Sequence, residues 1–228
     1  MTALTLHPDR LFSSDPAQRN LARALYATVK DLPIVSPHGH TDPQWYADNE
    51  AFSDASALFI TPDHYVFRML YSQGVALEDL AIPGKNGGRV ESDARKIWHT
   101  FAAHYHLFRG TPTRIWLDHA FHETFGVRER VSAESADRIF DQINACLAQP
   151  EFRPRALFDR FNIEVIATTE SPLDPLAHHA KIRASGWQGR VITAYRPDPV
   201  VDPEFEGFAA NVKTLGRLAD EDTSTWRG

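Results

Sequence analysis

Three short apolar runs are the strand candidates in this chain, and their spacing restricts what it can fold into. They are Leu32-Pro33-Ile34-Val35, Ile163–Thr169 (IEVIATT) and Arg190–Tyr195 (RVITAY). Each ends in polar and proline residues, and two are followed quickly by a helical pattern. Runs bounded in this way argue for parallel β/α units. Polar residues gather at the carboxyl ends of the runs: His38 and His40, then Thr168, Thr169 and Glu170, then Arg196 and Asp198. In a (β/α)-barrel that end carries the active site. Three strands cannot close a barrel of eight. The expected fold class is therefore α/β, an incomplete (β/α)8 barrel with about three strands present.

Roughly 120 residues separate the first and second runs, far more than a βα loop needs, so a large helical insertion is expected there. The chain then divides into residues 1–41 (a helix and the first strand), 42–160 (the helical insertion) and 161–228 (further β/α units). Ala17–Lys30 places Leu21, Leu25 and Val29 on one helical face, with Asp15-Pro16 as N-cap and first-turn proline. Within the insertion, Tyr65–Gln73, Ala94–Phe108 and Ser135–Leu147 read as helices and Gly84–Gly88 as a loop. Pro175–Ala184 and Glu204–Leu218 are the later helices. Asp222-Thr223-Ser224-Thr225-Trp226 resembles a helix start, yet the sequence stops at Gly228. With only three strands, the expectation is the amino-terminal part of a longer protein.

The strand ends also carry the most specific chemistry. In extended backbone, residues i and i+2 face the same way, so His38-Gly39-His40 can hand two imidazoles to one metal ion. Gly39 lets the backbone bend close to an ion, and Pro37 and Pro43 end the strand nearby. Two histidines facing solvent at a strand end is the bland alternative. The other close pairs lack this geometry. His104 and His106 fall in a helical pattern, where i and i+2 diverge, and the adjacent His178 and His179 fail similarly. His119 and His122 share a helical face beside Glu123, but outside an H-E-x-x-H motif they read as solvated or capping residues.

Composition narrows the partners. The 228 residues suffice for one sizeable domain, and 43% hydrophobic with 24% charged residues is ordinary for a globular chain. A net charge of −6 without a Lys/Arg block argues against nucleic acid and anionic membrane. The single cysteine, Cys146, cannot form an internal disulfide and reads as a small buried hydrophobe. There is no signal-peptide pattern and no bilayer-length apolar run, so a cytoplasmic protein is expected.

Five stretches in order resemble the uronate (glucuronate) isomerases of the amidohydrolase superfamily. They are Leu32–Pro43 (LPIVSPHGHTDP), Pro62–Leu70 (PDHYVFRML), Phe108–His119 (FRGTPTRIWLDH), Phe161–Asp174 (FNIEVIATTESPLD) and Ala194–Asp198 (AYRPD). The H-x-H motif alone is superfamily evidence, whereas H-Y-x-x-R-x-L, T-T-x-x-P-x-D and Y-R-P-D together are specific. The resemblance implies a metal-dependent barrel and an aldose–ketose isomerase. That activity interconverts D-glucuronate with D-fructuronate, and D-galacturonate with D-tagaturonate, in cytosolic hexuronate catabolism. It implies His38 and His40 as ligands of a divalent metal, usually zinc, and His64 and Tyr65 as a catalytic pair from the insertion. Arg196 is implied as a substrate-binding residue. It further implies a third metal ligand, an aspartate on the last strand, beyond Gly228, since full-length members run about twice this length, a whole barrel plus insertion. Ser36 stands where many relatives have aspartate, without affecting a ligand.

The residues themselves suit such chemistry. Moving a proton from C2 to C1 needs a base, an acid for the oxygens and positive charge for the carboxylate. Arg196 can bind a carboxylate through its guanidinium fork, and a surface salt bridge is its bland reading. His64 and Tyr65 could exchange protons with sugar oxygens; alternatively Asp63 caps a helix and Tyr65 packs inside. Arg68, one turn on, could orient Tyr65, contact substrate or form a structural ion pair. Thr168 and Thr169 could line the pocket or merely finish their strand. Two other classes stay open: a metal-dependent hydrolase of the same superfamily, and a non-catalytic fragment that binds a metal or sugar acid. The expected partner is a small-molecule hexuronate, with the parent enzyme a candidate homo-oligomer.

Overall fold

All three apolar runs form strands, paired in parallel in the order β1 (Ile34–Ser36), β2 (Ile163–Glu170), β3 (Arg190–Tyr195). The structure is a computed structural model that describes residues 2–225. The helices, in chain order, are α1 (Pro16–Val29), α2 (Pro43–Asp48), α3 (Ala55–Phe59), α4 (His64–Tyr71), α5 (Ala94–His104) and α6 (Pro112–His119). These are followed by α7 (Ala136–Leu147), α8 (Pro154–Arg160), α9 (Ala177–Ala184), α10 (Asp198–Val201) and α11 (Phe208–Ala219). Among the described residues, no helix is long and apolar enough to cross a membrane.

The chain separates into two units, Met1–Lys30 with Ala51–Arg153, and Asp31–Glu50 with Pro154–Gly228. Where boundaries are expected at 41/42 and 160/161, the structure groups α1 with the helical unit, and α2 and α8 with the strands. Side chains explain the regrouping. Tyr46 and Ala47 of α2 and Phe158 of α8 bury against Ile166 of β2, Val191 of β3 and Ile182 of α9. Trp187 stacks on Tyr46 and meets Phe158 edge-on, and Arg155 reaches the Tyr46 carbonyl at 2.8 Å. Lys181 of α9 bonds Asp48 of α2 at 2.7 Å and holds its carboxyl below the usual range.

Strand alternation sets the two faces of this sheet. Ile166, Thr168 and Glu170 point one way with Val191 and Thr193, their register partners; Ala167, Thr169, Ile192 and Ala194 point the other. β1 is short because Pro33 and Pro37 flank it, and neither can donate to the ladder. It leaves Ile34 and Val35 exposed at one edge.

In the helical unit, α5 and α7 bury Trp98, Phe101, Ile139, Ile143 and Leu147 between them, and the Trp98 indole donates to Ala136 O at 3.0 Å. Asp54, Asp63 and Asp93 cap α3, α4 and α5 by accepting from amides two and three residues on. The Tyr105 hydroxyl donates to Asp118 at 2.8 Å, and burial beside that carboxylate pushes the phenol pKa well up. Arg114 bonds Asp118 at 2.7 Å while its guanidinium lies 3.9 Å from the Tyr105 ring centre.

Several expectations change. α1 forms as read, with Asp15 accepting from Gln18 N, but Leu21, Leu25 and Val29 are exposed and no residue of the helix is buried. Ala94–Phe108 is broken: α5 stops at His104 and a tight 3-10 turn covers Tyr105–Phe108. The break brings the rings of His104 and His106 into a stack 6.5 Å apart rather than diverging. Cys146 is half-buried, not buried. Asp222 does accept from Ser224 N at 2.8 Å, as a cap would; the helix expected after it lies outside the described residues.

Candidate functional site

β1 delivers the His38-Gly39-His40 segment to the carboxyl end of the sheet. The β1–β2 ladder stops at Ser36, opposite Ile166. Past that point the Thr169 hydroxyl of β2 donates to the Gly39 carbonyl at 2.8 Å. A Cβ on Gly39 would sit 3.1 Å from Ala167 O, so the segment lies against β2 more closely than a side chain tolerates without a shift.

Held there, the two exposed imidazoles face each other with Nε2 atoms 3.0 Å apart and ring planes at 77°. Without a cation, one ring can donate to the other in suitable tautomers. Two nitrogens each about 2.0–2.1 Å from one zinc ion are at most about 4.2 Å apart, so the pair also fits a shared cation. No group of three or more His, Cys, Asp or Glu residues is placed to hold a metal among the described residues. The other histidines have different occupations. His104 and His106 point Nδ1 at the carbonyls of Thr100 and Ala103, His119 meets Arg10 and His122 meets Glu123.

Arg196 lies one residue past β3, where its Nε bonds Asp198 at 3.2 Å in an exposed pair. That pair is the bland reading of Arg196, and being exposed and local it is worth little. His64, Tyr65 and Arg68 belong to the helical unit. They lie on α4, where Asp63 caps as read; Tyr65 is 61% exposed instead of packed inside, with its ring 4.2 Å from that of His64. Arg68 is exposed too, with no ion pair among the described residues.

The two threonines at the end of β2 part company, because alternation turns them to opposite faces. Thr169 serves the histidine segment. Thr168 is buried towards α9, within 2.9 Å of His179 Nε2, and donates to Ile192 O at 3.2 Å. Since a hydroxyl has one proton, His179 must be the donor in the first of these bonds. Thr193 donates to Glu170, whose carboxylate is 3.9 Å from His179 Nε2. Sequence reasoning missed this buried polar group; the signal was the i, i+2 spacing of Thr168 and Glu170 after Ile166. His179→Ala should lower the unfolding free energy by about 2–3 kcal/mol in urea titrations, from a cavity plus a lost buried hydrogen bond.

Comparison with known proteins matches these features to one family. A family profile described as glucuronate isomerase matches residues 12–228. A uronate isomerase of Rhizorhabdus wittichii is 65% identical over all of this chain and 48% of its own length, and one of Mesorhizobium japonicum is 60% identical with the same coverage. The crystal structure of glucuronate isomerase from Caulobacter crescentus superposes with a TM-score of 0.91 at 55% identity, covering 99% of this chain and 47% of that one. That of uronate isomerase from Thermotoga maritima gives 0.82 at 29% identity, covering 98% and 46%. The chain thus spans about half the length of the curated relatives it matches. By residues matched, identity and fold, it belongs to the glucuronate isomerase family.

Proposed function

We propose that this chain contributes one share of the active site of a metal-dependent (β/α)8-barrel isomerase. The reaction interconverts D-glucuronate with D-fructuronate and D-galacturonate with D-tagaturonate in cytosolic hexuronate breakdown. The observation that supports it is the convergence of His38 and His40, Nε2 atoms 3.0 Å apart, at the carboxyl end of parallel strands in a chain of this family.

His38 and His40 would hold the cation through Nε2. Bound there, a divalent ion such as zinc would supply Lewis-acid stabilisation to a substrate oxygen. The chain's own groups account for the rest. Arg196 exchanges Asp198 for the hexuronate carboxylate, which its planar fork matches bidentately. His64 and Tyr65, exposed at the start of α4, supply the base and the hydroxyl donor. They take the C2 proton, return one to C1 and shift the hydroxyl proton from O2 to O1. Arg68, one turn on, orients the Tyr65 hydroxyl.

The test is a coupled assay of D-glucuronate conversion in which this chain replaces the matching half of the Caulobacter crescentus protein. Turnover is expected. A folded, zinc-replete chimera without turnover contradicts the proposal. In that chimera, Tyr65→Phe should lower kcat and Arg196→Met should raise KM, each cutting kcat/KM at least about tenfold, as losing a contact of about 1–3 kcal/mol does.

A further inference from the structure

We propose that Thr169 is a positioning residue that fixes the His38-Gly39-His40 segment so that both imidazoles meet at one point. The inference rests on the metal-site reading above. The backbone ladder ends at Ser36, so the histidine segment lies past the last main-chain pairing of β1. The Ser36 hydroxyl reaches His38 O only at 3.4 Å, a weak bond, whereas Thr169 reaches Gly39 O at 2.8 Å. Gly39 is the residue between the two ligating positions, so this one bond fixes the carbonyl from which His40 follows and His38 precedes. The anchor is stiff. β2 is the central strand, paired on both sides, and a β-branched residue has few χ1 options. The missing side chain at Gly39 completes the docking, since it lets the segment close onto Ala167 O. Two successive threonines therefore tie β2 to different neighbours: Thr168 to His179 of α9, Thr169 to the histidine segment.

The test compares Thr169→Val, which keeps shape and branching but removes the donor, with Thr169→Ser, which restores it. Co2+ binding to the 228-residue chain is read from the visible d–d spectrum and by competition with a chromophoric chelator. The apo crystal structure of Thr169→Val gives a second readout. The valine variant should bind Co2+ about 10- to 100-fold more weakly, with an altered spectrum, and serine should recover most of the affinity. In the crystal, the Nε2 atoms should no longer sit together. Wild-type affinity and spectrum in the valine variant, or an Nε2 separation unchanged at 3.0 Å, would overturn the assignment. Should the wild-type chain bind no Co2+, the metal reading fails, and the crystal structure still decides whether Thr169 positions the rings. Gly39→Ala, which pushes the segment away from Ala167 O by another route, should reproduce the loss if the valine variant does not fold.

Discussion

Replacing either His38 or His40 with alanine should lower glucuronate turnover in the chimera at least about a thousandfold, each 1.36 kcal/mol of lost transition-state stabilisation being tenfold. Each variant should also abolish the zinc binding expected of the 228-residue chain. A single exposed imidazole binds a divalent ion weakly, and no third His, Cys, Asp or Glu is grouped with the pair among the described residues. Metal content after gel filtration and the coupled assay report the two effects separately. His104→Ala and His106→Ala are the controls. Their Nδ1 atoms face backbone carbonyls and their rings stack rather than converge, so both variants should keep wild-type metal content.

The 228-residue chain by itself should turn over glucuronate at less than about a thousandth of the chimera's rate, and it should self-associate. Two donors hold a cation less firmly than a site completed by a carboxylate. Among the described residues, both outer strands of the sheet present unpaired edges, with Ile34 and Val35 exposed on β1 and Ile192 and Tyr195 on β3. Such edges pair readily with other chains. On the helical unit, Leu21, Leu25 and Val29 add an apolar stripe in solvent. Light scattering during gel filtration, with the coupled assay on the monomer fraction, checks both statements. Robust turnover by a monomer would require a third ligand from within residues 2–225.

What could be read from sequence followed local rules. The apolar runs, the Asp15-Pro16 start of α1 and the carboxyl-end clustering of polar residues all depend on near neighbours, and the strands and helix formed accordingly. The i, i+2 geometry of His38 and His40 was legible for the same reason. What escaped depends on packing partners distant in sequence. Tyr46 and Phe158 lie in segments assigned to the insertion, and only their burial against Ile166 places α2 and α8 with the strands. Alternation buries Val191 under α9 and leaves its neighbour Ile192 open. Thr168 and Thr169 looked equivalent, and the same alternation gives them different tasks.

Anomalous scattering at the zinc edge shows whether His38 and His40 share one cation. Crystals of the zinc-loaded 228-residue chain should give an anomalous peak between the two Nε2 atoms, about 2.0–2.1 Å from each. Zinc bound elsewhere in the chain, or an empty His38/His40 pair in protein saturated with zinc, would contradict a shared site.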